Sequence, residues 1–70
     1  MMPLTMARPG ETVTIRKITG KDEIRQHLAE LGFVAGQEVT VVSSLNGNLI
    51  INVKGSRIAL DETMARRVML

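Results

Sequence analysis

From Gln37 to Leu60 the chain reads QEVTVVSSLNGNLIINVKGSRIAL, three short runs in which apolar residues recur at every second position. Val39 and Val41 mark the first run, Leu49, Ile51 and Val53 the second, Ile58 and Leu60 the third. A helix would scatter these side chains around its axis, whereas a strand sets them all on one face. Most are β-branched, which suits a half-buried pleated surface. Asn46-Gly47 and Gly55-Ser56 separate the runs and are turn signals, so the stretch predicts a three-stranded antiparallel meander.

Residues directly opposite on antiparallel strands share a face, so matching apolar positions fixes the register. Setting Val53 against Ile58 brings Ile51 opposite Leu60 and leaves Gly55-Ser56 as a two-residue loop of type II′. Setting Val39 against Val53 and Val41 against Ile51 leaves Leu45-Asn46-Gly47 as a three-residue loop, or a five-residue variant of it. A two-residue Asn46-Gly47 loop would instead set Val41 against Asn52 and mix the two faces.

Upstream, Pro9-Gly10 is a turn signal and TVTIRKI is a strand with Val13 and Ile15 inward. Its alternation fails at Lys17-Ile18, where the strand should end or bulge. Thr19 to Asp22 has the spacing of a capping box, with Asp22 in place of Glu or Gln. Ile24, Leu28 and Leu31 then follow at i, i+4 and i+7, the spacing of one helical face. Asp22 and Glu23 fall in the first turn, where the helix dipole favours negative charge. Gly32 stands where a helix wants a left-handed terminating residue. After the meander, DETMARR is a short helix or turn with Asp61 as its cap, and RVML is a short last strand. The expected fold is mainly β: a small SH3-like barrel of about five antiparallel strands. One α-helix, about Asp22 to Leu31, plugs an end, and a short helical turn precedes the last strand.

A chain of 70 residues makes one domain, here residues 1–70, with a small core. Domains of this size hold about 3–5 kcal/mol of net stability. With no cysteine, neither a disulfide nor a thiolate metal site is available. The net charge is only +2, a weak field beside that of a dedicated nucleic-acid binder. Single-strand binders also stack bases on aromatic side chains, and Phe33 is the chain's one aromatic, so no nucleic-acid partner is expected. MMPLTMARPG lacks the apolar run of a signal peptide, and no window approaches the roughly 20 apolar residues of a membrane span. These features suggest a cytoplasmic chain that is not membrane-inserted.

Catalytic patterns are absent from the spacing. One histidine and no cysteine support no nucleophile triad. Gly20-Lys21 resembles part of a P-loop, but the opening glycine position is Ile15 and the hydroxyl position is Asp22. The chain therefore reads as non-enzymatic, with no cofactor. Glu23, His27 and Glu30 lie at i, i+4 and i+7 on the helix, so two carboxylates and an imidazole share one stripe. Such N and O ligands suit a transition metal weakly, and a solvated stripe is the simpler reading. In the register above, Lys54 faces Arg57. Like charges held opposite cost a fraction of a kcal/mol, a cost that an acidic partner would offset.

Three segments carry a family resemblance. They are Leu28-x-x-Leu31-Gly32-Phe33-x-x-Gly36, Gly55-Ser56-Arg57-x-Ala59-Leu60 and Ala65-x-x-Val68. In this order and spacing they resemble the FeoA family of small ferrous-iron-transport proteins, over nearly the whole chain. The resemblance implies an SH3-like domain and an accessory or regulatory role through contact with a FeoB-type membrane GTPase transporter. The alternative it implies is a stand-alone metal- or protein-sensing module related to the C-terminal domain of iron-dependent repressors. The family often carries a Pro-Leu-Gly-Asp-Pro-like segment in the first hairpin loop, where this chain has Ser44-Leu45-Asn46-Gly47-Asn48-Leu49. It often has a basic residue where this chain has Asp61. Candidate partner-binding residues are Phe33, Val34, Lys54 and Arg57, and an oligomer is compatible with the sequence. Phe33 has a second reading. With Gly32 as the left-handed cap, the next side chain packs back on Leu28, which would make the ring a core plug rather than an anchor.

Overall fold

The computed structural model describes residues 2–70. Six strands and two α-helices follow a 3-10 turn at Leu4–Met6: β1 (Thr12–Thr14), β2 (Lys17–Ile18), α1 (Asp22–Glu30), β3 (Glu38–Leu45), β4 (Asn48–Val53), β5 (Ser56–Leu60), α2 (Glu62–Ala65) and β6 (Val68–Met69). All strand pairs are antiparallel and form a four-stranded sheet β1-β3-β4-β5 and a two-stranded sheet β2-β6. Both sheets contribute to one core. Val39, Val41, Leu49, Ile51, Val53 and Leu60 come from the larger sheet, and Val68 from the smaller. Leu28 of α1 and Phe33 join it, as does Leu4. The mainly β expectation holds, with six strands rather than about five.

The extra strand arises where the alternation fails. Ile15 is buried, and its N–H donates to the Gln37 carbonyl at 2.9 Å, continuing the β1 side. The next residue, Arg16, donates to the Met69 carbonyl at 2.8 Å on the β6 side. The chain thus changes sheets between two consecutive residues, and TVTIRKI becomes two strands.

The β3–β4 hairpin corrects one expectation and explains it. Val39 pairs with Val53 and Val41 with Ile51, as read from the sequence. The odd residue sits not in the loop but in a bulge at Val42, after which Ser43 pairs with Ile50, Ser44 with Leu49 and Leu45 with Asn48. The loop is therefore Asn46-Gly47, with φ +53° and +83°. Positive φ at both central residues gives a type I′ turn, whose twist matches the flanking strands. The bulge lets this turn and the apolar pairing coexist.

The β4–β5 register differs by two residues from expectation. Ile51 pairs with Ile58, Leu49 with Leu60 and Val53 with Ser56, so the loop is Lys54-Gly55 rather than Gly55-Ser56. Its φ angles of +50° and +82° again mark type I′. A two-residue slide keeps every side chain on its face, so the apolar pattern alone does not distinguish the two registers.

Helix α1 starts one residue past its N-cap, Lys21, which makes no side-chain cap bond. The expected capping box is not formed. Thr19 lies two residues too early, and both its hydroxyl (3.2 Å) and its N–H (2.7 Å) donate to the Arg67 carbonyl. Its role is to tie the entrance of α1 to Arg67, the residue that leads into β6. Asp61 does cap α2, its carboxylate accepting from the Met64 N–H at 2.9 Å. The adjoining Glu62 N–H donates to Asn48 Oδ1 at 2.9 Å, which fastens α2 to β4.

Candidate interaction surface

The corner after α1 is built from backbone bonds. The Phe33 N–H donates to the Leu28 carbonyl at 2.9 Å and the Gly32 N–H to the Ala29 carbonyl at 3.0 Å. With Gly32 at φ +102°, these are the two bonds of a Schellman ending, which turns the residue after the glycine back over the helix. Phe33 is 0% exposed and packs in the same cluster as Leu28. Its expected role as an exposed contact residue is therefore corrected: the ring is sealed in the core, and Phe33 enters an adjoining depression only as a lining residue with no exposed surface. The plug reading is the one the geometry supports. Val34, next along, is 39% exposed and stands at the surface.

Lys54 and Arg57 are exposed at the end of the β4–β5 arm, but they do not face each other. Arg57 pairs with Asn52, and Lys54 occupies the turn. The like-charge opposition inferred from sequence is absent, because the type I′ turn moves Lys54 out of the ladder. A Cβ placed on Gly32 would lie 3.0 Å from Val53 Cγ1. This close approach brings the α1 corner against the residue preceding Lys54. Val34 and the arm therefore belong to one end of the molecule.

Glu23, His27 and Glu30 are all exposed on α1, away from buried Leu28. Among the described residues, no three His, Cys, Asp or Glu side chains converge to hold a metal ion. No helix of the described residues is long and apolar enough to cross a membrane.

Among the surface depressions of the described residues, two adjoin the α1 corner and the β3–β4 arm. One, of about 570 Å³, runs between the Arg16–Gly20 segment and α1, reaching Val34 and Ala35 at the corner. Its lining includes Arg16, Lys17 and Arg25 and no carboxylate. The other, of about 440 Å³, lies by the β3–β4 arm between Leu45, Ile50 and Leu60. The first was missed by sequence reasoning. Its only trace there is the failed alternation at Lys17-Ile18, flanked by cations.

Comparison with known proteins accounts for this architecture. The family model described as the FeoA domain matches residues 2–70. The chain belongs to the FeoA domain family. It is 36% identical to a Methanocaldococcus jannaschii protein named Fe(2+) transport protein A, across 100% of this chain and 85% of that one. A crystal structure of an iron uptake regulatory protein (FeoA) superposes with TM-score 0.91 at 33% identity, covering 97% of this chain and 92% of that one. The zinc-complexed FeoA of Stenotrophomonas maltophilia, a procaryotic SH3 domain protein, matches with TM-score 0.85 at 29% identity, over 99% and 88% of the chains. The family resemblance read from the three sequence segments is thus borne out, and with it the SH3-like fold.

Proposed function

We propose that this FeoA-domain chain is a non-enzymatic cytoplasmic accessory of ferrous iron transport, acting by direct contact with the cytosolic domain of a FeoB-type membrane GTPase transporter. The observation that carries the reading is similarity, along the whole chain, to proteins named for Fe(2+) transport and iron uptake. The surface at the α1 corner suits such a role. Half-exposed Val34 offers an apolar contact, and Lys54 and Arg57 add charge at the neighbouring arm. Transient interfaces are small and moderately polar, so an exposed apolar residue with two cations on the adjoining arm is in keeping with a regulatory encounter.

Titration of the isotope-labelled chain with the isolated cytosolic domain of the transporter tests this. Amide shifts are expected at Val34, Lys54 and Arg57. A spectrum unchanged at domain concentrations near 1 mM, about −4 kcal/mol of binding, would remove the transporter as a partner.

A further inference from the structure

We propose that the cleft between β2 and α1 docks an extended acidic peptide segment, laid as an added strand along the open edge of β2. Strand β2 pairs only with β6, through Lys17 with Met69 and Ile18 with Val68. The N–H groups of Arg16 and Thr19 also go to that side, to the Met69 and Arg67 carbonyls. The other edge of β2 carries no strand among the described residues. The cleft lies there. Residues 16–20 form one wall, α1 and the Val34-Ala35 corner the other, and β6 contributes nothing to the lining. Strands pack about 4.8 Å apart, and the two residues of β2 span about 7 Å, so the open edge can pair with the middle of a short extended segment.

Charge selects the occupant. Three cations line the cleft with no carboxylate among them. Asp22 approaches Arg25 only at 3.4 Å from an almost fully exposed position. Such an exposed pair contributes little and yields readily to an incoming carboxylate. Arginine in particular binds carboxylates in a two-pronged geometry. Ile18, Ala29 and Val34 line the same cleft as the cations. A strand presents its side chains alternately, so the fitting segment alternates acidic and small apolar residues. Main-chain bonds to β2 provide affinity, and the cations reject basic sequences. The groove beside Leu45 lacks this selection, since its lining is apolar apart from a few neutral polar residues and Asp61.

The inference rests on the transporter reading only for the source of the segment. The probe is a capped octapeptide of alternating Glu and Val, titrated into the labelled full chain. Amide shifts are expected along Arg16–Gly20 and at Arg25, Ala29 and Val34. Affinity should fall about tenfold when Arg16→Glu and Lys17→Glu are combined, both being exposed positions whose reversal leaves the core intact. It should fall similarly when a central Val of the peptide becomes Pro, which removes a strand bond. Shifts centred on Leu45 or on Lys54 and Arg57 would overturn the inference. So would an equal response to a Lys-Val octapeptide, or the same shift map produced at lower concentration by a single-stranded RNA oligomer. The two readings separate cleanly. If the transporter's cytosolic domain binds the charge-reversed variant undiminished and the peptide does not bind, the cleft inference falls and the transporter survives. If the peptide fills the cleft and that domain leaves the spectrum unchanged, the cleft stands and the transporter falls.

Discussion

Phe33 and Leu45 are both large apolar residues next to a positive-φ turn, yet Phe33 is 0% and Leu45 73% exposed. The difference lies in where each turn sends the chain. At the α1 corner, the Schellman bonds fold the backbone onto the helix, so Phe33 meets Leu28 at once. At the β3–β4 tip, the type I′ turn carries the strands straight outward. The bulge at Val42 adds a second effect. By plain alternation from Val39 and Val41, Leu45 would face inward; the extra residue reverses the phase, and Leu45 pairs with outward Asn48. A residue beside a turn is core or surface according to backbone phase and what lies across from it, not according to its hydrophobicity.

The strongest test of the contrast is to truncate the sealed member. Phe33→Ala removes a fully buried ring, a change that costs about 3–5 kcal/mol. That is comparable to the whole stability of a domain this size, about 3–5 kcal/mol, so the variant should be largely unfolded at 25 °C. Urea denaturation and amide dispersion read this directly. Phe33→Leu should keep the fold with a loss of about 1.5 kcal/mol. An alanine variant that keeps most of its stability would mean the corner is not sealed in solution.

The glycines sharpen the comparison at smaller amplitude. Gly32 and Gly55 have φ of +102° and +82°, so alanine is strained at both. Only at Gly32 does the new Cβ press on a neighbour, Val53 Cγ1 at 3.0 Å; at Gly55 nothing lies within 4 Å. Gly55→Ala should therefore cost about 1 kcal/mol, and Gly32→Ala about 2 kcal/mol, the excess being the packing part. Equal losses in urea denaturation would show that the Gly32–Val53 approach carries no energetic weight.

Much of this was legible in the sequence because it depends on parity and on local spacing. The faces of β3, β4 and β5, the stripe of α1, the Gly32 corner and the Asp61 cap all follow from intervals of two, three or four residues. What escaped was translation. A slide of two residues in β4–β5 and the placing of one odd residue at Val42 rather than in the loop leave the apolar faces near the core unchanged. Both depend on the preferred twist of the turns. Leu4 escaped too, since its burial depends on a 3-10 turn folding under α2 and β6 rather than on any repeat. At the candidate surface, Val34 and the arm residues read as contact candidates, whereas Arg25 joins Arg16 and Lys17 in one cleft only through the change of sheet at Ile15-Arg16. No interval in the sequence encodes that juxtaposition.

The exposed member of the pair gives the smallest effect and the sharpest condition on the comparison. Leu45 makes no part of the core cluster, and Asn48 opposite it faces outward too. Leu45→Ser should then shift the unfolding free energy by no more than about 0.5 kcal/mol, the ordinary range for surface changes. The measurement is urea denaturation at two protein concentrations about fiftyfold apart. If a second copy covered Leu45, the wild-type midpoint would rise with concentration by mass action and the serine variant would lose that rise. A midpoint that is the same at both concentrations, in both proteins, leaves Leu45 as a side chain held outside the core by one extra residue in β3.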